Sequence, residues 1–237
     1  MTLVFVHIPK VAGTSLKRAI TEQIGSDNLF CDYNSPMAKA KWHRNAHCLI
    51  SSYFNRQRLD PVIFGHFQVG KYARFTGSKF IKKPGIRYAI FFRDPLQRAI
   101  SHYYFWQRTY VGGHRVWERF TRENWSLERF LLSREHVNFQ SKFIWRFPIE
   151  QFDFIGLADH YHDSLKLLGR VFPILEGLNS KTANRNTEKP GDRAYVIDPG
   201  LEADFKRFNE VDYSLYARAE EIFLAAKAPC PEYGGYP

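Results

Sequence analysis

The sequence predicts an α/β protein of three layers, with a mainly parallel central sheet flanked by helices. Three observations predict it. Short apolar runs, each of strand length, recur at residues 2–7, 61–65, 87–92 and 153–157. Helical signals separate these runs, and strands alternating with helices argue for parallel pairing. The first unit is a strand, a tight loop containing a glycine, and a helix.

Leu3-Val4-Phe5-Val6 supplies the first strand, and Leu16-Lys17-Arg18-Ala19-Ile20 opens a helix predicted over 14–24. Because this unit begins beside Met1, its strand is expected to be central to the fold. Val62-Ile63-Phe64-Gly65 marks the strand at 61–65, and a helix is expected over 68–76. Tyr88-Ala89-Ile90-Phe91-Phe92 marks the strand at 87–92. Asp94 suits a helix N-cap and Pro95 the first helical position, so a helix is predicted over 95–109. Residues 110–125, with Gly112-Gly113 and several charges, read as a loop or lid. Helices are predicted over 126–133 and 138–146, then 160–169 after the last strand, and finally 212–227. Between these last two, residues 176–200 are polar and hold Pro190, Gly191, Pro199 and Gly200. Irregular chain of that length is functional or mobile. A single domain is expected over 1–228, with a Pro/Gly-rich tail at 229–237.

Composition narrows the class. The chain has 237 residues, 44% of them hydrophobic, enough for one globular core. No apolar run reaches membrane-spanning length, and the first strand leaves no space for a signal peptide, so a cytoplasmic protein is expected. Cys31, Cys48 and Cys230 have no paired spacing, which argues against a redox motif or zinc site. Free thiols are expected, with one disulfide as the alternative. A net charge of +10 suits a polyanion: nucleic acid, acidic polysaccharide or a multiply charged nucleotide. A solvated surface accounts for most of that charge.

Two segments carry chemistry. In His7-Ile8-Pro9-Lys10-Val11-Ala12-Gly13-Thr14-Ser15, the turn from strand to helix offers backbone N–H groups and a positive dipole end to a phosphate. Lys10 adds a full charge, and Thr14 and Ser15 add hydroxyls. The Lys precedes the Gly, so this is not a Walker A loop, and a plain turn is the alternative. In the second segment, Arg93 ends a strand where open α/β sheets bind ligands, and Ser101 follows two helical turns later. An Arg fork with a hydroxyl grips a second phosphate; an Arg–Asp cap pair with a helix-surface Ser is the alternative.

Together "HIPKVAGTS" and "FFRDPLQRAISHYYF" resemble the 5′-phosphosulfate loop and 3′-phosphate motif of sulfotransferases. The match is closest to the carbohydrate branch typified by heparan sulfate and uronyl 2-O-sulfotransferases, although Val11 stands where Thr or Cys is usual there. "VIFGHFQVGKYARF" resembles that family's Gly-His segment, and "FDFIGLADHYHDSLKLL" its late strand and helix. The resemblance fades over residues 21–60 and 106–140.

The resemblance implies a P-loop-like α/β fold. It also implies 3′-phosphoadenosine 5′-phosphosulfate as donor, 3′,5′-adenosine bisphosphate as product, and no metal. It assigns catalysis to Lys10 and His66. It assigns donor binding to Lys10, Ala12, Gly13, Thr14, Ser15, Arg93 and Ser101, with Arg185 or Lys181 closing over the 3′-phosphate from the polar segment. His66 would accept the acceptor's proton near neutral pH, its unperturbed pKa being ~6.5. His102 is the next candidate base, expected on a helix surface or behind the site, and His7 could orient Lys10 or the acceptor. The implied acceptor is a hydroxyl compound, foremost a glycan, and an anionic one suits the charge; neither nucleic acid nor a membrane span is expected. A nucleotide-dependent kinase is disfavoured by the missing Walker A spacing and Mg²⁺ carboxylate pair. A non-enzymatic basic polyanion-binding module is the remaining alternative.

Overall fold

The computed structural model describes residues 1–54, 61–178 and 194–228. In chain order its elements are β1 (Thr2–Val6), α1 (Gly13–Ile24), β2 (Leu29–Asp32), α2 (Lys41–Phe54), β3 (Val62–Gly65), β4 (Arg74–Phe75), β5 (Phe80–Ile81), β6 (Ile86–Phe92), α3 (Pro95–Arg108), α4 (Arg115–Arg122), α5 (Leu127–Leu131), β7 (Phe154–Leu157), α6 (Tyr161–Val171), α7 (Pro199–Phe208) and α8 (Glu210–Lys227). Five strands form one parallel sheet in the order β2-β3-β1-β6-β7, flanked by helices; β4 and β5 form a separate antiparallel ribbon. The fold class read from the sequence is therefore the observed one, with β1 at the centre.

All five residues of β1 are buried, because helices cover both faces of a parallel sheet. Each large apolar side chain buried this way stabilises the fold by roughly 1.5–3 kcal/mol. A second apolar cluster lies beside the sheet, where α3, α4, α5 and α7 close around Phe130, Trp106 and Phe205. No helix among the described residues is long and apolar enough to cross a membrane. Cys31 and Cys48 are free thiols; Cys230 and the tail at 229–237 lie outside the described residues.

Several expected elements differ. The helix expected over 68–76 is a short 3₁₀ turn at Val69–Tyr72 followed by β4. Gly70 lies so close to Phe80 and Cys48 that a Cβ there would be 2.6 Å from the Phe80 ring, so packing overrides the helical pattern. The helix expected over 138–146 is only a 3₁₀ turn at Ser141–Ile144. Asn138 and Arg146, with φ of 46° and 57°, break it at both ends. Residues 110–125 are not simply a loop. His114 caps α4 by accepting from the Trp117 N–H at 3.1 Å, and Phe120 and Trp125 are buried in the second core. The elements β2, α2 and α7 have no counterpart in the sequence reading.

Gly65 closes β3. A Cβ there would lie 1.7 Å from the Asp32 carbonyl oxygen, which belongs to the neighbouring strand and accepts from the His66 N–H at 3.0 Å. Gly65→Ala must therefore push β2 and β3 apart. We expect a loss of at least ~1–3 kcal/mol, read as a lower denaturant midpoint; an unchanged midpoint would mean the two strands separate freely.

Candidate active site

Three adjacent strands, β3, β1 and β6, end side by side, and the chemistry-bearing residues follow each end. Val6 pairs with both Gly65 and Ile90 in register. His7 and His66 thus emerge together on one side of β1, while Arg93 emerges on the other. This crevice at the carboxyl ends of the strands is where open α/β sheets take ligands.

The loop after β1 is shaped by its backbone. Lys10 and Ala12 both adopt left-handed conformations, with φ of 73° and 65°. Each costs ~1–3 kcal/mol for a residue with a Cβ, a strain typical of ligand-binding loops. Gly13 is needed for space: a Cβ there would lie 1.8 Å from His7 Nε2. Helix α1 begins at Gly13 with no side-chain cap and no acid in its first turn, so its N-terminal dipole faces the loop uncancelled. Ser15 is buried in that first turn and Thr14 is exposed.

Cations gather at this loop. The Lys10 ammonium lies over the Phe105 ring, 4.2 Å from its centroid. Burial, then Arg93 and Arg108, lower its pKa to about 8. Arg93 donates from Nη1 to the Lys10 carbonyl at 3.3 Å, so the two motifs share one cleft. Ser101 is half-buried on α3, one turn before Phe105 and on the same helix face, so it is aligned toward the Lys10 side.

Neighbours hold Arg93 in place. Gln140 brackets its backbone, donating to the Arg93 carbonyl at 2.8 Å and accepting from its N–H at 3.2 Å. Asp159 lies 3.7 Å from Arg93 Nε, accepts from the Asp94 N–H at 3.0 Å and from the Tyr216 hydroxyl at 3.1 Å. Asp94 caps α3 by accepting from the Gln97 N–H at 2.8 Å, so the cap and the Arg–Asp contact both exist, but the acid partner is Asp159. The sequence reading missed Asp159 and Gln140. Asp159 follows β7, so the strand-end rule applied to a fourth strand finds it.

On the other side of β1, His66 Nε2 lies 3.1 Å from His7 Nδ1, and the Tyr33 hydroxyl lies 3.4 Å from that same nitrogen. Burial lowers the His66 pKa to about 4. Burial, then His66, Lys17 and Lys10, push His7 well below the ordinary imidazole range. His66 is thus half-buried and neutral at pH 7, and the argument from an unperturbed imidazole is corrected: its pKa does not sit near neutrality. His102 is not on the helix surface; it is buried in the second core against Trp106 and His136, with Arg98 Nη1 3.4 Å from its Nδ1. Tyr103 and Trp106 are likewise core, whereas Phe105 underlies Lys10.

Arg185 and Lys181 lie outside the described residues. The chain that follows returns to α3 at Tyr195, whose N–H and carbonyl both bond the Gln97 amide at 2.7 and 3.0 Å. Among the described residues no three His, Cys, Asp or Glu side chains are grouped as a metal would need.

The sequence profile of the Sulfotransferase family matches residues 1–217. The chain belongs to the sulfotransferase family, and that membership supports sulfuryl transfer as its chemistry. A sulfotransferase from Alicyclobacillus acidocaldarius is similar in structure, with 15% identity, a TM-score of 0.45, and 96% of this chain and 98% of that chain covered. No curated protein sequence matches the chain.

The buried imidazoles set an acid limit on stability. Unfolded histidines take up protons below about pH 6.5, while folded His66 stays neutral down to about pH 4. In that window the unfolded state holds more protons, so stability is full above it and falls as pH drops through it. His7, His102 and His136 act in the same direction. Thermal midpoints should therefore be level above about pH 7 and decline below about 6.5, with His66→Gln flattening part of the slope. Equal slopes in the two proteins would mean His66 is solvated.

Proposed function

We propose that this chain moves a sulfuryl group from 3′-phosphoadenosine 5′-phosphosulfate to an acceptor hydroxyl on a carbohydrate, by in-line displacement with His66 as general base. The observation that carries this reading is the contact between Arg93 and the Lys10 carbonyl, which puts two phosphate-suited ends in one cleft. The donor set fits a polyanion: Lys10 and Arg93 crowd an uncapped helix end, and among the described residues the Lys10 ammonium rests on a ring and on no acid.

Bound there, the nucleotide supplies the sulfuryl group and a phosphate leaving group. Lys10 and the N–H groups of Ala12, Gly13, Thr14 and Ser15 stabilise charge growing on the 5′-phosphate. Arg93 and Ser101 hold the 3′-phosphate. His66 takes the acceptor proton; its neutral state keeps a lone pair available at physiological pH. Arg44 and Lys71 line a pocket with Gln68, two residues past His66, and Gln68 bonds Asn45 and the Lys142 carbonyl at 3.1 Å each; Lys71 is paired with Asp32 at 2.6 Å, while Arg44 and Lys142 add positive charge. That charge favours an anionic glycan as acceptor.

The direct test is a labelled-sulfate transfer screen over glycans, small phenols and lipids; transfer to none of them would remove the reading. 3′,5′-Adenosine bisphosphate should raise the thermal midpoint more than adenosine 5′-phosphate, which lacks the group for Arg93 and Ser101. Equal shifts would place no second phosphate there. Replacing Arg93 and Ser101 together by Ala should weaken bisphosphate binding by about tenfold or more, measured by calorimetry, and unchanged affinity counts against their role. Lys10→Ala should lower turnover ~10²–10³-fold. His66→Ala should lower it ~10²-fold or more with bisphosphate affinity intact; near-normal turnover in either would remove that residue's role.

A further inference from the structure

The pairing of the two imidazoles specifies more than proximity. One hydrogen lies between His66 Nε2 and His7 Nδ1, which are 3.1 Å apart, so only two arrangements exist. If His7 donates, His66 carries its own proton on Nδ1 and has no lone pair left for a substrate. If His66 donates, its Nδ1 is bare and His7 carries its proton on Nε2.

A base at His66 needs the second arrangement, and the surroundings of His7 Nε2 favour it. The Tyr33 hydroxyl, 3.4 Å from His7 Nδ1, can donate to or accept from that nitrogen and so serves either arrangement. His7 Nε2 faces the head of α1 at Gly13, where a lone pair would repel an anion and an N–H would attract one. The His7 ring is also fixed, packed on Phe64 at 5.0 Å and wedged where residue 13 has no Cβ. An imidazole so held can fix the tautomer of its neighbour, because the bond made by one ring nitrogen decides the state of the other.

Building on the reading of His66 as base, we propose that His7 is its positioning residue: His7 Nδ1 accepts the His66 Nε2–H, which leaves His66 Nδ1 as the atom that takes the acceptor's proton. In the step, the acceptor O–H breaks and its proton moves to His66 Nδ1. The electron pair stays on the acceptor oxygen, which bonds to sulfur as the bond from sulfur to the 5′-phosphate oxygen breaks. That second electron pair leaves with the phosphate. The imidazolium so formed keeps its Nε2–H on His7.

The test needs no acceptor. Long-range ¹H–¹⁵N spectra of the full chain labelled in histidine, taken near neutral pH, should show His66 protonated on Nε2 and bare on Nδ1. His7→Asn, whose amide oxygen stands near the Nδ1 position, should keep that tautomer. His7→Leu, with no acceptor, should lose it and give a mixture. A wild-type His66 protonated on Nδ1 overturns the proposal, and so does a His7→Leu spectrum identical to wild type. The two readings fail separately. A contrary spectrum beside an inactive His66→Ala removes only the positioning role, whereas normal transfer by His66→Ala removes the base itself.

Discussion

The parallel pairing of β3, β1 and β6 fixes where every candidate functional group sits. Parallel strands must all end at the same edge, so three loops from distant parts of the sequence leave the sheet within one crevice. Register then decides which residues meet. Val6 opposite Gly65 makes His7 and His66 neighbours, and Val6 opposite Ile90 brings the β6 exit beside the β1 exit, where Arg93 reaches the Lys10 carbonyl. A slip of one residue in either pairing would turn the emerging side chain to the other face of the sheet. The burial of β1 on both faces, and the refusal of any Cβ at Gly65, are what hold that register.

The crevice built this way is strained and electrostatically incomplete. Two residues with side chains occupy left-handed backbone, Lys10 and Arg93 crowd together beside a bare helix end, and burial disfavours the charge on Lys10. None of this helps the fold by itself. In the proposed reading, an anion would pair the cations and complete the helix end, which offsets the electrostatic part of this cost. The supporting acids stand one step back: Asp159 holds Arg93 from behind, and Asp212 holds Gln140, which holds the Arg93 backbone. The face toward the crevice is left positive.

The sequence disclosed the scaffold of this arrangement better than its details. The apolar runs of β1, β3, β6 and β7 stand out, and each is followed by a candidate site residue: Lys10, His66, Arg93 and, unread, Asp159. The strand β2, Leu29-Phe30-Cys31-Asp32, ends on a charged residue, so its apolar run is cut to three residues and shows no pattern. Helix α2 escaped because Trp42, Ile50, Tyr53 and Phe54 lie exposed, so apolar residues do not mark its buried face. The stretch after His66 read as helix because nothing local reveals that Phe80 and Cys48 press on Gly70. A turn rule would place left-handed backbone at Gly13, yet Lys10 and Ala12 carry it while Gly13 makes room for His7. Burial, and with it the lowered pKa of His66, is a tertiary property that no local pattern carries.

That lowered pKa bears on how the proposed reaction divides its barrier. A base whose conjugate acid has a pKa of about 4 is a weak proton acceptor for an alcohol, so it offers little early in the reaction. By analogy with phosphoryl transfer, a loose transition state asks little of it early. Bond breaking to the leaving phosphate runs ahead of bond making, and the acceptor hydroxyl becomes acidic only as its oxygen closes on sulfur. The larger share of stabilisation then falls on the leaving-group side, where in this proposal Lys10 and the head of α1 would face the phosphate. A buried, neutral imidazole fits the remaining task. In the proposed reaction it would stay unprotonated while Lys10 and Arg93 attract the anionic donor, and would take the proton once the transfer makes that proton available.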